Sequence, residues 1–190
     1  MKRLGIFALA AALAACLSAC GQGEGAGMSI KPRQLSQETR EVLEIFEDEV
    51  QFYTISWDDT AKYEKLSVWI CRDGQWQEEG QITGEMALFS EQIAVRLTQT
   101  SCDVYVMDES GHTKYSYPLS GTEFTSSMLT GAARIEEETP IQLGQEVPIW
   151  VKVGTEESAI RTVDLSGEFR ELDCDGGLAV TLTISDREFS

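Results

Sequence analysis

From Val50 to Ile184 the apolar residues recur at every second position in short runs, and each run stops at turn-forming residues. Alternation of this kind puts one set of side chains on one face of an extended strand and the intervening set on the other. A helix repeats its apolar face every three to four residues and cannot use such a pattern. Tyr53, Ile55 and Trp57 alternate with Thr54 and Ser56, and Leu66, Val68 and Ile70 with Ser67, Trp69 and Cys71. Near the end, Leu178, Val180, Leu182 and Ile184 point one way, and Thr181 and Thr183 the other. Asp73-Gly74 separates Leu66–Cys71 from Gln75-Trp76-Gln77. It has the chemistry of a type I′ turn, which needs φ > 0 at both central residues.

Other runs extend the pattern. Residues 86–89 and 93–97 are expected to form a hairpin about Ser90-Glu91-Gln92. Residues 104–107 and 114–117 flank the loop Asp108–Gly111, and 141–143 and 147–153 flank Gly144-Gln145. Residues 161–165 and 169–172 read as strands, and 118–134 as loop with one short strand. One helix of about three turns begins after Ser36, a capping residue, with Val42, Leu43, Ile45 and Phe46 at helical spacing. It is expected to pack at one end of the domain. Roughly nine or ten short strands with regular turn signals predict an all-β, two-sheet β-sandwich with one short N-terminal helix. An immunoglobulin-like sandwich is favoured over a closed barrel, with each sheet wet on its outer face.

The N-terminus obeys a different rule. Met1-Lys2-Arg3 is a short basic stretch, and Leu4 to Ala15 is an uncharged apolar run. The run is shorter than the about 20 residues that a membrane-spanning helix needs and has the form of a secretory signal. Leu17-Ser18-Ala19-Cys20 at its end resembles the lipobox of bacterial lipoproteins. That resemblance implies cleavage between Ala19 and Cys20, a diacylglyceryl group on the Cys20 thiol, and a further acyl chain such as palmitate on the new N-terminus. Such multiple acylation makes a stable anchor. Gly21 to Gly27, with four Gly among small and polar residues, then reads as flexible tether. The expected organisation is a signal peptide at 1–19, a lipid-anchored tether at 20–36 and the sandwich at 37–190. The expected place is the extracytoplasmic face of the cell membrane.

A second resemblance concerns the domain. The stretch TPIQLGQEVPIWVKVGT, Thr139 to Thr155, and the strand, Asp-Gly, Trp order from Val68 to Trp76 are similar to segments of uncharacterised lipoproteins of Gram-positive, clostridial-type bacteria. That resemblance implies location and fold and carries no activity. Cys71, Cys102 and Cys174 depart from it.

Charge narrows the partners. The chain carries 15 Lys+Arg against 32 Asp+Glu, a net −17. Loss of Lys2 and Arg3 with the signal leaves the mature chain at −19. Nucleic-acid binding, which rests on cations neutralising phosphates, is excluded on this ground. The membrane is met through lipid on Cys20, the partner is a protein or carbohydrate, and the domain is expected to be a monomer. One His among 190 residues leaves no mechanism that needs two imidazoles. His112 falls in a hairpin loop.

Candidate sites are few. Cys71, Cys102 and Cys174 form no C-x-x-C motif; unbridged thiols are the simpler reading, and the alternative in an oxidising compartment is one internal disulfide, with the pairing open. Asp173 and Asp175 are the calcium candidates, in a loop that opens like a D-x-D-G motif. Ile184 stands where an EF-hand needs Glu, and calcium takes about six to eight oxygens, so a self-solvated turn is the simpler reading. Trp57 and Trp150 are expected in the core. Trp76, after a tight turn among Gln and Glu, is the candidate ligand contact, through sugar stacking or a protein interface. There is no G-x-S-x-G and no phosphate-cradling loop. The expected function is a non-catalytic binding or envelope-associated module without a cofactor. The alternatives are a carbohydrate- or peptidoglycan-acting hydrolase, and an accessory or sensory subunit of a transport or export system.

Overall fold

The structure is a computed structural model that describes residues 27–45, 48–86, 88, 91–122, 124–159, 162–165 and 168–189. Among these residues the alternating runs become eleven strands. They are β1 (Ser29–Pro32), β2 (Glu49–Ser56), β3 (Tyr63–Arg72), β4 (Gln75–Glu85), β5 (Gln92–Leu97) and β6 (Ser101–Asp108). The others are β7 (Gly111–Pro118), β8 (Leu129–Arg134), β9 (Thr139–Pro140), β10 (Glu146–Thr155) and β11 (Gly176–Ser185). A six-stranded sheet has the order β7-β6-β5-β2-β1-β9, and a five-stranded sheet the order β4-β3-β11-β10-β8. Every pairing is antiparallel. This is the all-β, two-sheet sandwich that the alternation predicts. With an immunoglobulin-like domain it shares the two packed antiparallel sheets; its last strand, β11, is central in its own sheet.

The tight turns form where the residues require them. Asp73 and Gly74 take φ of 51° and 74°, closing the β3–β4 hairpin. At the β6–β7 turn the Asp108 Oδ1 accepts from the amides of Ser110 at 2.7 Å and Gly111 at 3.0 Å. Pro148 lies in β10, a strand paired on both sides, at a bulge between Pro148 and Trp150, where a residue without an amide proton interrupts the ladder least.

Several expectations change. The 86–89/93–97 hairpin does not form. β4 ends at Glu85 in one sheet and β5 starts at Gln92 in the other, so the chain crosses between layers here. Phe169–Glu171 is a single 3-10 turn, and no strand forms at 162–165. Residues 29–32, expected to lie in a tether, form β1, which pairs with both β2 and β9, and Ile30 is wholly buried. An apolar side chain at the alternating position of a paired strand belongs to the core and not to a linker.

The main core lies between the sheets. Ile30, Tyr53, Ile55, Ile93, Val95 and Val104 meet Leu66, Val68, Ile149, Leu178, Val180 and Leu182 there. The Tyr53 hydroxyl donates to the Ile149 carbonyl at 2.9 Å, tying one layer to the other. Trp150 is buried, as expected, whereas Trp57 is only half-buried at the margin of the core.

The outer face of the five-stranded sheet is not wet. Cys71, Val151, Val153, Phe169, Cys174 and Ala179 form a second buried cluster, with Trp69, Trp76, Val163, Leu165 and Leu172 packed against it. The segment before β11 folds back over the sheet. Thr181 and Thr183 are therefore buried, against the expectation of a solvated face. Thr181 and the Trp69 indole donate to Glu146 Oε1 at 2.8 and 3.2 Å. Arg170 donates to both oxygens of Glu146 and stacks at 3.8 Å on the Trp69 ring. One half-buried carboxylate thus serves Thr181, Trp69 and Arg170 together at the margin of the cover.

Candidate functional site

The helix that sequence places after Ser36 is α1 (Gln37–Glu44). The Ser36 Oγ accepts from the Thr39 amide at 3.2 Å, a side-chain cap for an otherwise orphaned donor. None of the helix residues is buried, and Val42 and Ile45 are 53% and 76% exposed. The helix is two turns and not the expected three, and it lies over the sheet without burying a residue. Only Leu43 turns half-buried toward the sheet, while Phe46 lies outside the described residues. The reason is the surface below, which is an open groove and not a flat sheet.

The groove runs between α1 and the outer face of β2, β5 and β6. Its polar compartment, about 700 Å³, includes Arg33, Arg40, Leu43, Glu44, Phe52 and Arg134 in its lining. A smaller compartment of about 320 Å³ adjoins it through Leu43, Asp48, Val50 and Phe52, and is lined further by Ala94, Arg96, Tyr105, Met107 and His112. The apolar lining follows from register. Phe52 pairs with Ala94 and Ala94 with Tyr105, so three strands present this patch side by side.

Charge is sorted within the groove. Arg96 donates twice to Asp48 Oδ2, at 2.9 and 2.5 Å, and Lys152 pairs with Glu49. Beyond the apolar patch, Lys114 lies 2.8 Å from the buried Asp103. Burial alone would raise the Asp103 carboxyl, but hydrogen bonds from Lys114, Ser116 and Ser101 hold it below its ordinary value. Arg33 donates to the Gln92 amide oxygen at 2.7 Å. Among the described residues no carboxylate lies within 4.0 Å of the guanidinium groups of Arg33, Arg40 or Arg134. In a chain of net charge −17, three guanidiniums without a carboxylate within 4.0 Å among the described residues share one groove, whose lining also includes Glu44, Asp48 and Glu49.

The residues singled out from sequence are placed elsewhere. Trp76 is half-buried. Its indole donates to the Leu172 carbonyl at 3.4 Å, and its ring meets Phe169 edge-on at 5.1 Å. It belongs to β4 and packs against the covering segment, so it is not a free stacking platform. Asp175 is a turn anchor, accepting from Thr155 Oγ1 at 3.0 Å and the Glu156 amide at 2.7 Å. Asp173 is exposed, and no group of three or more His, Cys, Asp or Glu able to hold a metal occurs among the described residues. Ala19 and Cys20 lie outside the described residues, and no described helix is long and apolar enough to cross a membrane. His112 is exposed on β7, 5.6 Å from Tyr105 ring to ring, at the edge of the groove.

Arg33, Arg40 and Arg134 were not legible as a set, because they come from a loop, a helix and the edge strand of the opposite sheet. Glu64 was legible. It stands in the alternating run with Leu66, Val68 and Ile70 and is wholly buried. Its two carboxyl oxygens have no hydrogen-bond partner among the described residues, and burial pushes its pKa up to about 8. No known protein family matches the chain, and neither a curated protein nor a solved structure matches it.

Proposed function

We propose that the protein is a lipid-anchored extracytoplasmic lipoprotein whose β-sandwich acts by binding and not by catalysis, with the α1 groove as its ligand face. The anchoring half of this reading rests on Leu17-Ser18-Ala19-Cys20 after the apolar run. The binding half rests on one observation. Arg33, Arg40 and Arg134, which form no ion pair among the described residues, adjoin an apolar floor of Val50, Phe52, Ala94, Tyr105 and Met107. Guanidinium groups that no internal carboxylate neutralises attract an anionic group, and the apolar floor gives area for the body that carries it. A small amphiphile with one anionic head is the occupant that fits both halves of the groove. The acidic remainder of the molecule repels anions elsewhere, which concentrates such a ligand here.

The test is direct titration of the folded chain with decyl phosphate, followed by calorimetry. Saturable binding is expected, with a loss of about tenfold or more in affinity for Arg40→Ala/Arg134→Ala, roughly one charge-assisted hydrogen bond. Equal affinity in the variant rejects the groove as the ligand face. Separately, Cys20→Ala is expected to move the protein from the membrane fraction to the soluble fraction. Undiminished membrane retention rejects the lipid anchor and leaves the groove untouched.

A further inference from the structure

We propose that Cys71 and Cys174 form a disulfide site, closed by a disulfide-bearing oxidant, that clamps the covering segment onto the outer face of the five-stranded sheet. Spacing left the pairing of the three cysteines open; the fold selects it. Cys102 sits in the core between the sheets, while Cys71 and Cys174 sit together in the second cluster on the other side of the five-stranded sheet. The sheet itself separates Cys102 from the other two. On that outer face, the Cys71 Sγ lies 3.6 Å from the Cys174 carbonyl oxygen.

The backbone around them favours the approach. Cys71 on β3 pairs with Gly177 on β11. A Cβ at Gly177 would fall 3.0 Å from the Cys71 Cβ and 2.7 Å from the Trp76 ring. Glycine therefore leaves beside Cys71 the space that the Trp76 ring fills, and the ring closes over the cluster that holds both cysteines. That turn is held from its far side, where the Asp175 amide donates to the Gly154 carbonyl at 3.0 Å. The two residues are 103 positions apart, so the bond would close a long loop and remove much freedom from the unfolded chain.

The chemistry requires a co-reactant of disulfide class. One thiolate of the pair attacks the donor's S–S bond, forming a mixed disulfide and expelling one donor thiolate. The second cysteine thiolate then attacks the protein sulfur of that mixed disulfide and expels the other donor thiolate. Two cysteine protons pass to solvent or to the departing thiolates, and the donor gains the two electrons the protein loses. Both thiols are buried, and burial raises both, with Asp173 and Asp175 adding to the effect. Few thiolates form in the closed state. The bond therefore closes as the chain folds or when the cover lifts. An oxidising compartment is what the lipoprotein reading supplies, while the pairing rests on geometry alone.

The experiment refolds the reduced mature chain with oxidised and reduced glutathione, alkylates free thiols, and maps the bridged peptides by mass spectrometry. A single Cys71–Cys174 bridge with Cys102 alkylated is expected, retained in Cys102→Ala. The melting temperature should exceed that of the reduced chain by about 5–15 °C. Alkylation at all three cysteines, glutathione adducts alone, or a bridge through Cys102 would overturn the pairing. A bridge that left the melting temperature unchanged would overturn the clamp. Neither result depends on where the protein resides, so failure of the anchor and failure of this site are separate outcomes.

Discussion

Glu64 shows how far a single residue can be read. Parity within β3 places it on the core side with Leu66, Val68 and Ile70, and the folded chain buries it completely without a hydrogen-bond partner for its carboxyl oxygens among the described residues. A buried carboxylate costs far more than a buried acid, so the group holds its proton, with a pKa of about 8. The folded value exceeds the unfolded one. Between the ordinary carboxylate range and pH 8 the unfolded chain releases this proton while the folded chain keeps it. Stability from this residue is therefore intact below the unfolded pKa and falls as pH rises through that window. Glu64→Gln removes the dependence. The melting temperature of the variant, relative to the natural chain, should rise steadily from pH 5 to pH 8.5; parallel curves would reject the assignment. Trp76 marks the opposite case. Its neighbours in sequence are Gln, Glu and a tight turn, which describe an exposed ring. Its actual partners, Phe169, Leu172 and Gly177, arrive from far along the chain.

At the scale of elements, α1 is held from within. It has the Ser36 cap and a 2.9 Å hydrogen bond from Gln37 to Glu41, and no buried residue. Short helices without a packed face are marginal in water, so local terms decide whether this one forms. Ser36→Ala should weaken it by about 1 kcal/mol. Amide exchange over 37–44 should quicken by about fivefold while the global melting temperature stays within error. A fall of several degrees would mean that α1 packs more firmly than its exposure indicates. Hairpins were legible at this scale because Asp73-Gly74 and Asp108–Gly111 dictate their own backbone. The crossing after β4 was not. A connection between sheets and a connection within one can carry the same turn residues, and the choice depends on which edges remain unpaired.

The whole molecule begins earlier than its composition indicates. β1 bridges β2 and β9 and contributes Ile30 to the core. A chain starting at Gly27 should unfold cooperatively at the melting temperature of the longer form. A chain starting at Gln37 should lose at least about 3 kcal/mol, from one fully buried Ile and a strand's ladder. Denaturant titration of both distinguishes them, and equal midpoints would return residues 29–32 to the tether. On the same scale, the excess of acidic residues is spread over turns and rims, while three arginines meet in one groove. Sequence alone missed β1 and read strands at 161–165 and 169–172 where the described residues form none, but it determined most of the strands, the alternation of their faces, the tight turns at Asp73-Gly74 and Asp108–Gly111 and where the helix starts. Each of these depends on residues within a turn or a strand of one another. Only the tertiary structure decided the sheet assignments, the covering of one outer face, the gathering of Arg33, Arg40 and Arg134, and the meeting of Cys71 with Cys174. These depend on contacts between residues far apart in the chain, and no local pattern encodes which distant segments will meet.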